Sequence, residues 1–403
     1  MKCEYRQLGD VAIQFIDGDR GKNYPSNNEF SNVGYCLFLN AKNVTSDGFS
    51  FGEVSFITQK KDAMLRKGKL EKNDVVLTTR GTVGNVAFYG ERVLYSNVRI
   101  NSGMLIIRPD PSVFCPEYVY WLFRSDVIQD QIKRFRSGTA QPQLPISSIK
   151  KFEIPLVDIK TQEKIAAILS ALDEKIATNR AINENLERQA QAFFQELFVD
   201  NTDPEWAIGT INDLGAVVGG STPSKAKPEY YTETGIAWIT PKDLSVNKSK
   251  FISHGENDIT ELGLKNSSAT IMPEGTVLFS SRAPIGYIAV AVGEVATNQG
   301  FKSIVPKPEV GTAFVYYFLK HNLPSIEGMA SGSTFKEVSG STMKGVPAVI
   351  PDTDTIARFN DFCSPIFAQQ RILEEQNHSL AALRDNLLPK LMSGEIDVST
   401  VQL

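Results

Sequence analysis

The amino-acid sequence predicts an α+β protein in which a mixed α/β domain followed by a long helix is written twice. Three observations carry this. The first half of the chain is echoed by the second at an offset near 200 residues; residues 161–200 contain neither Gly nor Pro; and the apolar runs elsewhere are short and bounded by Gly, Pro, Asn and Asp. Together they predict two pseudo-repeated mixed α/β domains separated by an antiparallel two-helix coiled-coil rod, with domains at 1–158 and 201–351 and helices at 159–200 and 352–403.

Stepping alternately by four and three along the first helix picks out Ile165, Leu169, Leu172, Ile176, Asn179, Asn183, Leu186, Ala190, Phe193 and Leu197. A heptad seam of this kind needs a partner helix, and at 1.5 Å per residue the helix is about 60 Å long, more than a compact domain needs for its own core. An offset of 194 supplies the partner: Phe359, Cys363, Ile366, Gln370, Leu373, Asn377, Leu380, Arg384, Leu387 and Leu391. Asn183 and Asn377 fall at equivalent places and are candidates for fixing the register of the rod, solvent-facing asparagines being the plain alternative. Pro365 and Pro389 should kink or end the second helix.

Inside the domains, Asp74–Thr79, Val86–Tyr89, Met104–Arg108, Thr276–Ser280, Tyr287–Val292 and Lys302–Val305 read as strands, and Tyr118–Arg134 and Ala313–Leu323 as short helices. The strongest internal match sets Asp74–Gly84 against Thr276–Gly286.

Composition excludes several classes. No apolar run approaches the roughly 18 residues of a membrane span, and the N-terminus has no secretory core, so a cytoplasmic location is expected. The four cysteines are scattered with only three histidines to accompany them, which argues against a zinc site or a disulfide framework. The net charge of −4 divides unevenly: residues 1–158 carry 21 Lys and Arg against 17 Asp and Glu, whereas 352–403 carry 4 against 8. Positive charge thus gathers in the first domain and acid on the helices, where it suits a protein partner better than phosphate.

No catalytic motif is present. The phosphate-loop, zinc-protease, nucleophile-elbow and dinucleotide signatures are all missing, and Gly219–Lys225, lacking the Gly-Lys-Ser/Thr ending, reads as a structural turn. The repeated arginine is more informative. Arg80 and Arg282 each follow a strand and two hydroxyl residues, Thr78-Thr79 and Ser280-Ser281, and precede a turn built on Gly84 and Gly286. A guanidinium so placed can fork onto a guanine edge or a phosphate, with the hydroxyls meeting sugar and phosphate; the plain alternative is an arginine that braces its turn against a carboxylate. Lys60, Lys61, Arg66, Lys67, Lys69 and Lys72 form one basic patch and Lys133–Arg136 another, while Lys225, Lys227, Lys242, Lys248 and Lys250 populate the second domain. Basic runs are usually solvated faces, but two of them beside Arg80 suit a phosphate-contacting surface.

These segments closely resemble the DNA-specificity subunit of type I restriction-modification systems. The likeness rests on Gly220–Ser224 leading to Ile236–Leu244 in the second domain, on Ser137–Leu144 and Gln162–Ile165 in the first, and on Leu383–Ile396 at the end. It implies two target-recognition domains reading a bipartite double-stranded DNA sequence, with Lys42, Lys60, Lys61, Thr78, Thr79, Arg80, Gly81, Gln141, Ser221, Thr222, Lys242, Ser280, Ser281 and Arg282 as contacts. It also implies no catalytic centre and no metal on this chain, methyltransferase subunits and a translocating restriction subunit as partners, and S-adenosylmethionine, ATP and Mg on those partners. The sequence departs from the family at the first domain, where Val11–Gln14 replaces the Gly-Gly-Thr-Pro opening, and at Phe335-Lys336-Glu337, aligned with Ala140-Gln141-Pro142. A coiled-coil scaffold that binds only proteins is the rival reading, and a fused nuclease the third.

Overall fold

The computed structural model describes residues 4–138, 141–332, 336–399 and 401. Thr139, Ala140, Ser333 and Phe335, which the repeat places in paired loops, lie outside the described residues. The chain divides into two compact units, residues 1–176 with 379–403 and residues 177–378, so each takes in part of both long helices.

In the first unit the four-stranded sheet has the antiparallel order Ile13–Asp17, Met104–Pro109, Val75–Thr78, Val86–Phe88. Side chains alternate across a strand. Val75, Leu77, Leu105 and Ile107 therefore face a core that contains Trp121 and Phe123, and Val76, Met104 and Ile106 face a second core with Leu37, Leu39 and Val98. Burial on both faces is why these strands read as continuous apolar runs rather than as alternating ones. A three-stranded sheet, Phe56–Ile57, Cys36–Leu39 and Val98–Ile100, lies on the second core.

The second unit repeats the plan with five strands, in the order Gly215–Gly219, Lys302–Pro306, Val277–Ser281, Ile285–Ala291, Phe251–Ile252. Val277 and Phe279 point into one core and Leu278 into the other. A four-stranded sheet orders Tyr231–Thr232, Asn257–Ile259, Ile236–Ile239 and Ala296–Thr297. In both units the first strand closes on the last: Glu4–Gln7 pairs with Glu153–Leu156, and Ala207–Thr210 with Pro347–Ile350.

The expected helix over 118–134 is two helices, Pro116–Arg124 and Asp126–Phe135. Ser125 separates them, its hydroxyl donating back to the Leu122 carbonyl at 2.7 Å in competition with the helical ladder. The helix expected from Ala313 runs over Thr312–Gly328 with Pro324 inside it.

The long helices cover Ile159–Gln195, followed by a π turn over Glu196–Asp200, and Thr353–Met392. The second helix ends at Met392, close to Pro389 as expected, but runs on through Pro365, where the buried Phe359, Cys363 and Ile366 outweigh one missing backbone bond. Within each unit the helix segments run antiparallel. In the first, Asp173 pairs with Arg384 at 2.6 Å while the earlier Lys164 reaches the later Ser399 carbonyl at 2.7 Å. In the second, Phe193 meets Phe362 and Asn179 meets Asn377. The polar register differs from the expected one. Asn377 accepts from Asn179 at 3.0 Å, and Asn183 donates to the Gln370 backbone at 3.3 Å, so the two equivalent asparagines do not face each other. An antiparallel pair sets each residue against a position displaced along its partner, which brings Asn179 to Asn377 and Asn183 to Gln370.

Candidate nucleic-acid interface

Each unit carries an open cleft, and the two are built from equivalent parts. The first is lined by residues that include Ala41, Arg80, Gly81, Asn101, Gly103, Gln141 and Gln143; the second by Pro241, Lys242, Arg282, Ala283, Asn298 and Gly300.

The turn at the floor is held identically in both. Thr79 donates its backbone N–H to the Gly103 carbonyl at 2.8 Å and its hydroxyl to the same oxygen at 3.1 Å. Ser281 does the same to Gly300, at 2.8 and 3.1 Å. Thr78 and Ser280 each accept from a backbone N–H across the turn, of Asn85 at 2.9 Å and Tyr287 at 2.8 Å. Asn101 and Asn298 cap the facing loop by accepting from Gly103 and Gly300, both at 2.8 Å. All four hydroxyl residues are buried. Thr78, Thr79, Ser280 and Ser281, expected as sugar or phosphate contacts, therefore brace the turn, and Thr78 also lines the first cleft. The Asn-x-Gly loops were missed, although Asn101-Ser102-Gly103 and Asn298-Gln299-Gly300 repeat in the sequence.

What reaches the cleft is the arginine. Arg80 is exposed, and its guanidinium makes no hydrogen bond or ion pair among the described residues. Gly81 beside it has φ of +72°, a left-handed conformation that costs glycine little. Arg282 is held: its Nη1 lies 3.5 Å from Glu337, which also lies 3.5 Å from Lys302. Arg282 and Glu337 are each 36 % exposed. Ion pairs of that length and exposure contribute at most about 1 kcal/mol.

The other expected contacts scatter. Lys42 and Lys242 stand at equivalent places after capped turns, and both are exposed and paired, with Glu53 at 2.7 Å and Glu256 at 2.6 Å. Only Lys242 lines a cleft. Lys60 is exposed on the short helix Gln59–Met64, away from the residues that line the first cleft, and the neighbouring Lys61 is spent on Glu29 at 2.7 Å. That bond, with two to Ser26, holds the Glu29 carboxyl down at about 2. Lys69 joins the buried Asp62–Arg99 pair, while Lys60, Arg66, Lys67 and Lys72 of the same patch are exposed. Gln141 is exposed in the first cleft. Thr222 lines the second, while Ser221 donates its N–H to Thr297 and accepts from the Trp238 indole at 3.0 Å, a wall rather than a contact. Gly220 is required there because a Cβ would lie 2.1 Å from the Asn298 carbonyl oxygen.

Lys250, counted among the basic residues of the second domain, is buried. It lies over the Phe367 ring at 4.2 Å, donates to Gln370 at 2.7 Å and to Tyr317 at 3.2 Å, and pairs with Glu187. Burial alone would push the Glu187 carboxyl up, but Lys250 and Lys320 together hold it at about 2. Among the described residues no group of three His, Cys, Asp or Glu is placed to hold a metal ion, and no helix is long and apolar enough to cross a membrane.

Two copies of one α/β domain, each with an arginine-bearing cleft, define a tandem specificity-domain architecture. The chain belongs to the family of type I restriction-modification specificity subunits: residues 2–188 and 204–380 each match the type I restriction modification DNA specificity domain. It is 24% identical over 459 residues to the type I restriction enzyme HindI specificity subunit of Haemophilus influenzae, covering 94% of this chain and 98% of that one. It is 40% identical over 191 residues to the MjaIX specificity subunit of Methanocaldococcus jannaschii, an alignment spanning 45% of this chain and 44% of that relative. Its fold is shared with the crystal structure of the type I restriction-modification system S subunit from M. genitalium, with a TM-score of 0.63 at 17% identity over 97% of this chain and 96% of that one.

Proposed function

We propose that this chain is the non-catalytic, sequence-specific DNA-binding subunit of a type I restriction-modification enzyme, each cleft reading one half of a bipartite duplex target. The observation that carries the reading is the duplicated cleft with an arginine at its centre, held on the same hydroxyl-braced turn in both units. A planar guanidinium can fork onto guanine O6 and N7 or onto a phosphate, and a tandem pair of such sites suits a split motif. Methyltransferase subunits and a translocating restriction subunit dock on the chain, and S-adenosylmethionine, ATP and Mg belong to those partners.

Methylome sequencing of a host carrying the complete system tests this. A split motif that disappears when the chain is deleted is the expected result. Methylation of a continuous motif, or none that depends on the chain, overturns it; binding that is blind to DNA and confined to the protein partners would favour the scaffold reading.

A further inference from the structure

Gln143 and Glu337 occupy the same position in the two units. Gln143 exchanges two backbone hydrogen bonds with Ser137, Glu337 exchanges two with Ser331, and each forms a bridge to its own cleft arginine. This register differs by one residue from the sequence alignment, which set Glu337 against Pro142. The backbone is therefore the same and the side chain is not. Gln143 has an amide, with both donor and acceptor capacity, beside an Arg80 whose guanidinium has no partner among the described residues. Glu337 has acceptors only and faces both Arg282 and Lys302.

The difference is not one of net charge. Lys302 stands two residues beyond Gly300, where the first unit has Leu105 two residues beyond Gly103, so Glu337 and Lys302 set one acid and one base beside Arg282, although neither is among the residues that line the cleft itself. Nor is Glu337 committed to bracing. Its distances to Arg282 and Lys302 are both 3.5 Å, whereas Lys242–Glu256 and Lys320–Glu187 in the same unit close to 2.6 and 2.7 Å. A long, half-exposed pair is readily exchanged for a ligand contact.

We propose that position 143 in the first unit and 337 in the second sets the base choice of its cleft, an inference that rests on the DNA-binding reading above. Arg282 and Glu337 present a donor and an acceptor side by side. That is the complement of one C·G pair, whose major-groove edge sets the cytosine amino group beside guanine O6 and N7. Arg80 and Gln143 present a donor-rich edge with one acceptor, which suits a purine: guanine for the guanidinium, adenine for the amide.

The test uses a host carrying the complete system with the wild-type chain, Glu337→Gln or Gln143→Glu, its methylated motifs read by sequencing. The wild-type result judges the DNA-binding reading by itself, because absence of any chain-dependent split motif overturns that reading and this inference with it. Given a split motif, Glu337→Gln is expected to relax one C·G pair in one half, discrimination there falling about 5- to 150-fold, with the other half and the spacing unchanged. Gln143→Glu is expected to alter a purine position in the other half. Unchanged motifs in both variants overturn the inference. Even weakening across a whole half-site overturns it too, since that is what loss of a brace alone produces, and a Glu337→Gln change at an A·T pair overturns the C·G assignment.

Discussion

At the scale of single residues the cations sort by whether a carboxylate already holds them. Arg80 is unpaired among the described residues whereas Arg282 is held by Glu337, so the two arginines are not energetically equivalent. Arg80→Ala is expected to cost about 1–3 kcal/mol of affinity at one half-site if it forks onto a base, whereas a phosphate contact weakens all sequences alike. Competition binding with duplexes altered in one half at a time distinguishes these outcomes, and no change in either assigns Arg80 to bracing. The Glu187 cluster governs stability instead. Its carboxyl is held at about 2 against an ordinary 4.5. A depressed carboxylate contributes stability above the unfolded value and loses it as pH falls towards the folded one, so the loss runs from about pH 4.5 down to 2, offset in part by the burial that holds the paired Lys250 below its ordinary value. Glu374, raised by burial, acts in the opposite direction. Denaturant unfolding of the wild type and Glu187→Gln between pH 6 and 2 isolates the term: the variant is less stable at pH 6, and the gap narrows on acidification.

At the scale of elements, the long helices show how a seam survives local faults. Leu169 is fully buried with Leu388 and Leu391 in its cluster, and Leu169→Ala is expected to cost about 2–5 kcal/mol, measured by urea unfolding. Asn179 is also fully buried, with its Oδ1 unpartnered and its amide on Asn377. A polar seam residue costs stability and fixes register. The double variant Asn179→Leu/Asn377→Leu is therefore expected to melt higher than wild type, and a lower melting temperature would show that the asparagine pair is a net stabiliser. Helix periodicity was legible because the seam repeats over ten positions. The break at Ser125 and the passage through Pro365 were not, since a single hydroxyl or a missing N–H is decided by the packing around it.

At the scale of the whole molecule, the duplication gives two clefts with one plan and different electrostatics. Of the lysines that made the first domain look basic, Lys61, Lys69 and Lys42 are paired with carboxylates. Lys60, Lys67 and Arg80 are among the exposed cations that carry no ion pair among the described residues, and these are expected to meet phosphate first while the paired lysines stay on their carboxylates. Each phosphate contact contributes about −0.9 to the slope of log affinity against log salt on duplex DNA. Titration of the full chain between 50 and 200 mM salt measures it, and a slope steeper than about −6 would show that the lysines leave their carboxylates to bind DNA.

The sequence by itself determined the duplication, the strand cores, the heptad pairing of the long helices and the recurrence of the arginine, because each is a pattern repeated along the chain. Tertiary structure alone decided what each side chain does within that pattern. It turned Thr78, Thr79, Ser280 and Ser281 inward, buried Lys250, set Asn179 against Asn377, and put Glu337, which the sequence aligned with Pro142, at the place Gln143 holds beside the other arginine. The reason is physical: periodicity depends on neighbours in sequence, whereas hydrogen-bond and ion-pair partners are separated by tens of residues and are fixed only when the backbone has folded.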